Sequence, residues 1–132
     1  MYRPIAKLVN TSQQTLGANE NILFILDAFN SSSISYNQNG TIELKTPGIY
    51  KILANFTVAP TSTEAKVALY ENNMQSPGAV ATETVVAENS ANLAFNTVLT
   101  VKPGVQGTYA TLAFKNIYAG QVLNANVIIE KI

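Results

Sequence analysis

Cysteine, histidine and tryptophan are absent from the 132 residues, and aspartate occurs once, as Asp27. Without thiols there is neither a disulfide framework nor a thiolate nucleophile, and the redox compartment leaves no mark on the sequence. Without imidazole, the Ser-His-Asp relay and metal-water chemistry on histidine ligands are both excluded. A calcium loop needs clustered oxygen ligands with aspartate prominent, whereas Asp27 stands alone in an apolar stretch. No metal and no cofactor is therefore expected. Charge is scarce too: charged residues make up 12% of the chain, against roughly 25% in an ordinary soluble domain. Eight basic and eight acidic residues cancel, and no run of like sign offers a footprint for nucleic acid or an anionic membrane. No apolar run reaches the ~18 residues that span a bilayer. The opening Met1-Tyr2-Arg3-Pro4-Ile5-Ala6-Lys7 lacks the apolar core of a signal peptide. The expectation is a protein made in a host cytoplasm that reaches the outside by lysis or as part of a particle.

Paired carboxylates are the catalytic route left open by these absences. Glu64, Glu71, Glu83 and Glu88 fall near strand ends and loops, and nothing in the sequence brings two of them together. They read as solvated side chains that keep strand edges from sticking. Gly104-Val105-Gln106-Gly107 has neither the strand-to-helix context nor the Lys-Ser/Thr pair of a phosphate cradle and reads as a turn. The matches to the glycosylation sequon, such as Asn10-Thr11-Ser12 and Asn55-Phe56-Thr57, are what chance gives in so Asn-rich a chain. No catalytic residue is assigned, and the chain is expected not to be an enzyme.

What the chain does have is alternation. Tyr50, Ile52, Ala54, Phe56 and Val58 are apolar at every second position, which puts one hydrophobic stripe on one face of a long strand over 48–59. Ile49, Lys51, Leu53, Asn55 and Thr57 fall on the other face, a mixed set suited to solvent or to a second protein surface. Turn residues cut the remainder into further strands at 5–10, 21–29, 65–71, 79–87, 92–101, 108–115 and 121–132. Leu93, Phe95, Leu99 and Val101 share one face, as do Leu123, Ala125, Val127 and Ile129. Ile22 to Leu26 is apolar on both faces and needs cover on both sides. At Gln38-Asn39-Gly40, a three-residue loop with Gly40 in the left-handed position pairs Tyr36 with Ile42 and Ile34 with Leu44; a two-residue loop would mix faces. No segment repeats at 3.6 residues with caps. A single all-β sandwich domain over 1–132 follows.

The order of elements resembles a known family. An N-terminal strand and a short hairpin ending in Thr41-Ile42-Glu43-Leu44 precede Pro47-Gly48-Ile49-Tyr50, which opens the long strand; Val127-Ile128-Ile129-Glu130-Lys131-Ile132 closes the chain. This is similar to the jelly roll of tumour necrosis factor, of complement C1q heads and of the C-terminal domains of collagen-like spore-surface proteins. The resemblance implies a sandwich of two antiparallel sheets with about ten strands, assembled as a homotrimer around residues of one sheet. On that reading Phe24, Tyr50, Leu53, Tyr109 and Phe114 are the candidate trimer-interface residues. Residues 1–14 are either the first strand or a docking arm, with Tyr2, Arg3, Ile5 and Leu8 as its contacts. Unlike stalked members of the family, the chain shows no Gly-X-Y repeats.

The expected function is a non-enzymatic virion protein, a homotrimeric bacteriophage capsid decoration or fibre head that contacts other virion proteins. The alternative is a knob that binds a cell-surface receptor or glycan, on a phage tail or a bacterial or spore surface. Its contacts would come from loops at 60–64, 72–78 and 102–107. Tyr70 and Tyr118 are the tyrosines best placed for exposure.

Overall fold

The computed structural model describes residues 5–29, 33–86, 89–102 and 110–132. The alternating stretch forms β7 (Gly48–Pro60), the longest of twelve strands among these residues. Before it come β1 (Ile5–Asn10), β2 (Gln14–Leu16), β3 (Glu20–Asn21), β4 (Ile25–Phe29), β5 (Ile34–Tyr36) and β6 (Thr41–Leu44). After it come β8 (Glu64–Glu71), β9 (Met74–Thr84), β10 (Ala91–Val101), β11 (Ala110–Asn116) and β12 (Gly120–Lys131). One sheet has the order β10-β7-β12-β1-β4 with β2 beside β12; the other has β5-β6-β11-β8-β9 with β3 beside β11. Every pairing is antiparallel. The all-β jelly-roll sandwich is thus present, with the short β2 and β3 raising the count above the ten or so expected.

The inner faces of the two sheets make one core. Tyr50, Ile52, Ala54, Phe56 and Val58 are at most 2% exposed and meet Leu69, Leu112 and Phe114 of the facing sheet in one cluster. Phe114 sits among Phe24, Phe56 and Phe95 with ring centroids 5.6 to 6.1 Å away. The Tyr50 ring points into this core too, and its hydroxyl donates to the Thr46 carbonyl at 2.8 Å, so the one polar atom on a buried ring is satisfied.

The apolar stretch expected as one strand over 21–29 is instead a crossover. β3 pairs with β11 in one sheet and β4 with β1 in the other, and 22–24 carries the chain between them. Ile22 still donates its N–H to the Phe114 carbonyl at 2.8 Å; beyond it the link leaves the ladder and side chains take over. Gln14 Nε2 donates to the Leu23 carbonyl at 2.8 Å, Gln14 Oε1 accepts from the Leu23 N–H at 2.9 Å, and the Phe24 N–H donates to the Tyr36 hydroxyl at 2.7 Å. Ile22 and Phe24 turn into the core while Leu23 and Ile25 face outward, which accounts for apolar residues on both sides.

The hairpin over Gln38-Asn39-Gly40 pairs Ile34 with Leu44 and Tyr36 with Ile42, and Gly40 holds φ at +92°, as the three-residue loop requires. Two irregularities depart from the sequence reading. β9 runs through Pro77 and Gly78 instead of starting after them, because Leu69 alone faces residues 76–79 in a bulge and β9 is an edge strand, where a missing N–H is tolerated. In β12 the register shifts at Leu123, so Val122 is fully buried and Leu123 is not. Residues 5–10 form an interior strand between β12 and β4, and Leu8 is fully buried. The docking-arm reading therefore fails for Leu8, whose side chain is spent on the core, while Tyr2 and Arg3 lie outside the described residues.

The Tyr36 phenol is pushed above its ordinary value of 10.0 by burial, with the Phe24 N–H bond pulling weakly the other way. A raised folded value favours the neutral phenol, so this contribution to stability is complete below the unfolded value of about 10 and is lost as pH rises through the folded one. Tyr36→Phe is expected to lower the urea midpoint at pH 8, by loss of the bond to Phe24. The gap to wild type should narrow as pH rises above about 10; a gap that stays constant until Tyr36 is fully ionised would sink the assignment.

Candidate functional site

Outward positions on the β10-β7-β12-β1-β4 sheet form one continuous face. Cross-strand register places Asn55 of β7 between Ala94 of β10 and Asn126 of β12, followed by Val9 of β1 and Ile25 of β4. The next row is Asn96, Leu53, Ile128 and Lys7; the one beyond it is Val98, Lys51, Glu130 and Ile5. The residues thus divide into two zones. Near one end lie the carboxamides Asn55, Asn92, Asn124 and Asn126 with Thr57, and toward the other lie Leu53, Val98, Ile49, Ile128 and Ile132.

Nine large apolar side chains are exposed among the described residues, and five of them, Ile25, Ile49, Leu53, Val98 and Ile132, belong to this face. The other four, Leu23, Met74, Val86 and Tyr118, sit in links and at hairpin tips. Formal charge on the face is confined to Lys7, Lys51 and Glu130 among the described side chains. The outer face of the other sheet is different in kind. It intersperses Glu43, Glu64, Lys66 and Lys115, and there Lys115 Nζ lies 5.4 Å above the Tyr70 ring and donates to Asn21 Oδ1 at 3.1 Å. Large exposed apolar side chains gathered on one sheet face, with Met74 at a hairpin tip the one such residue in a strand of the other sheet among the described residues, are the pattern of a surface that another protein covers.

Within the amide zone is a shallow groove of about 420 Å³, floored by Phe56 and Leu93 and lined by Asn55, Thr57, Asn92, Asn124 and Asn126. Thr57 Oγ1 donates to Asn92 Oδ1 at 2.9 Å. Asn126 Oδ1 is shut off from solvent and has no hydrogen-bond partner. A second depression, about 560 Å³, lies at one end of the sandwich among Leu16, Ala59, Pro60, Ala119 and Gly120. Neither holds a titratable side chain in its lining, and among the described residues no three His, Cys, Asp or Glu gather to hold a metal.

Of the expected interface residues that are described, only Leu53 lies on this face, 37% exposed. Phe24, Tyr50 and Phe114 belong to the core of the single chain, because each points between the sheets. Tyr109 lies outside the described residues. Tyr118 is exposed at the β11–β12 turn, and Tyr70 is half-buried beneath Lys115. The amide zone is not legible in the sequence because its members come from three strands; the outward parity of Asn92 and Asn96 and of Asn124 and Asn126 is its local sign.

No protein-family model matches the chain, and no curated protein matches it by sequence. Solved structures do match. Murine APRIL superposes with a TM-score of 0.75 at 9% identity, covering 99% of this chain and 100% of that one. The globular domain of zebrafish complement 1qA gives 0.72 at 12% identity over 96% and 94%. Eiger TNF from S. frugiperda gives 0.72 at 12% over 100% and 94%. At such identities the likeness is one of fold, and the fold is the jelly roll shared by tumour necrosis factors and C1q globular domains.

Proposed function

We propose that the chain is a non-enzymatic structural protein that assembles as a homotrimer through the outer face of the β10-β7-β12-β1-β4 sheet and decorates a bacteriophage virion, on the capsid or at a fibre head. The observation that carries the self-assembly is the gathering of five of the nine exposed large apolar side chains on one sheet face. Burial of apolar surface is the main drive for association, and a face with few charges sheds little hydration when it is covered. Three-fold symmetry is what the resemblance to tumour necrosis factor and C1q heads implies. Grooves without an acid, base or nucleophile support a binding or scaffolding role. A surface of amides and hydroxyls, net neutral and free of His and Cys, suits a particle exposed outside the cell.

Light scattering of the purified protein tests the assembly: a species of about 43 kDa, three times 14.2 kDa, is expected. Mass spectrometry of density-purified phage particles tests the location, and absence of the chain from particles that package DNA would overturn it. A bacterial cell or spore surface is the location to which that negative result would point.

A further inference from the structure

We propose that the outward carboxamides of this face fix how many copies assemble: Asn55, Asn124 and Asn126 of the amide zone, with Asn96 in the neighbouring row, meet the carboxamides of two further copies and complete their hydrogen bonds there. This rests on the self-assembly argued above and adds to it which residues choose the stoichiometry.

Asn55, Asn96 and Asn124 are exposed in the single chain, and their carboxamides have no protein partner there among the described residues. Asn55 and Asn126 stand directly opposite each other on β7 and β12, yet the bond formed within the groove is between Thr57 and Asn92. Asn126 Oδ1 is enclosed by the chain itself, so what Asn126 can offer another copy is its Nδ2 donor. A carboxamide offers two N–H donors and a carbonyl acceptor. A patch of them is therefore its own complement, and no formal charge within it sets copy against copy. A carboxylate or ammonium patch would instead repel its own image and call for a partner of opposite sign. The second copy is thus the occupant whose chemistry matches what is displayed.

The division of labour follows from directionality. Leu53, Val98 and Ile128 gain from burial against almost any apolar surface, so the apolar zone is indifferent to the number of copies. Amides drawn into the same interface must find partners in specific directions, and arrangements that strand them are penalised. One buried Asn sets the oligomer state of coiled coils on the same principle.

The test compares three variants with wild type by sedimentation velocity and native mass spectrometry. Asn55→Leu/Asn126→Leu is expected to stay associated but to spread over dimers, trimers and larger species. If that variant precipitates, Asn55→Thr/Asn126→Thr, which keeps strand propensity and removes the carboxamides, is expected to show the same spread. Asn55→Asp, isosteric and exposed in the single chain, is expected to raise the dissociation constant at least tenfold at pH 7. Association should return near pH 4, where a carboxyl with an ordinary value of about 3.9 takes up its proton. Uniform trimers from both double variants, or an Asn55→Asp trimer as tight as wild type at pH 7, overturn the proposal while leaving self-assembly intact. A wild-type protein that remains a 14.2 kDa species overturns both.

Discussion

A lysine in place of Leu53 is expected to turn the proposed trimer into a folded monomer. Leu53 is 37% exposed in the single chain, between Asn96 and Ile128 on the outer face of the sheet. In an isolated copy the ammonium extends into water, so the stability of the fold should change by no more than about 0.5 kcal/mol, as for ordinary surface substitutions. Around a three-fold axis the same change places three like charges in one apolar contact. Each ion withdrawn from water without a partner costs several kcal/mol even after relaxation, and about 1.4 kcal/mol already corresponds to a tenfold loss of affinity. Light scattering should then report 14.2 kDa in place of three times that mass, with an unchanged far-ultraviolet spectrum. Thr111→Lys, on the outer face of the opposite sheet, should leave the mass of the assembly unaltered. A Leu53→Lys protein that stays trimeric would move the interface elsewhere.

Phe114→Ala is expected to act on the fold itself. The ring is fully buried and touches Phe24, Phe56 and Phe95, so it joins the crossover segment, β7 and β10 across the sandwich. Truncating a buried phenylalanine costs about 3–5 kcal/mol through lost transfer energy and the cavity left behind. Against a total of about 5–15 kcal/mol for a small domain, that is a large share. Urea unfolding should show the midpoint falling with little change in slope. A loss below 1 kcal/mol would mean that the neighbouring rings collapse into the space, and would count against a rigid aromatic centre. The pair of substitutions separates two roles that the sequence alone merges: Phe114 holds one chain together, and Leu53 is the residue we propose joins it to others.

That merging has a physical origin. Alternation reports that a strand has two unlike faces, and over residues 48–58 it placed Tyr50, Ile52 and Phe56 together correctly. It does not report which sheet a strand joins. Phe24 and Phe114 therefore read equally well as interface or core until the crossover at 22–24 and the pairing of β11 with β6 and β8 put both rings between the sheets. The bulge at Leu123 is hidden for the same reason, since it is set by how β12 fits against β7 and not by its own residues.

By itself the sequence determined the fold class, the hairpin register at Gln38-Asn39-Gly40 and the residue types barred from catalysis, because period-two patterning, turn chemistry and composition are local properties of a chain. The tertiary structure alone decided that residues 5–10 are an interior strand and that Asn55, Asn92, Asn124 and Asn126 share a groove with Leu53 nearby. Those neighbours are up to 73 positions apart in the chain, and only antiparallel pairing of strands distant in sequence brings them side by side.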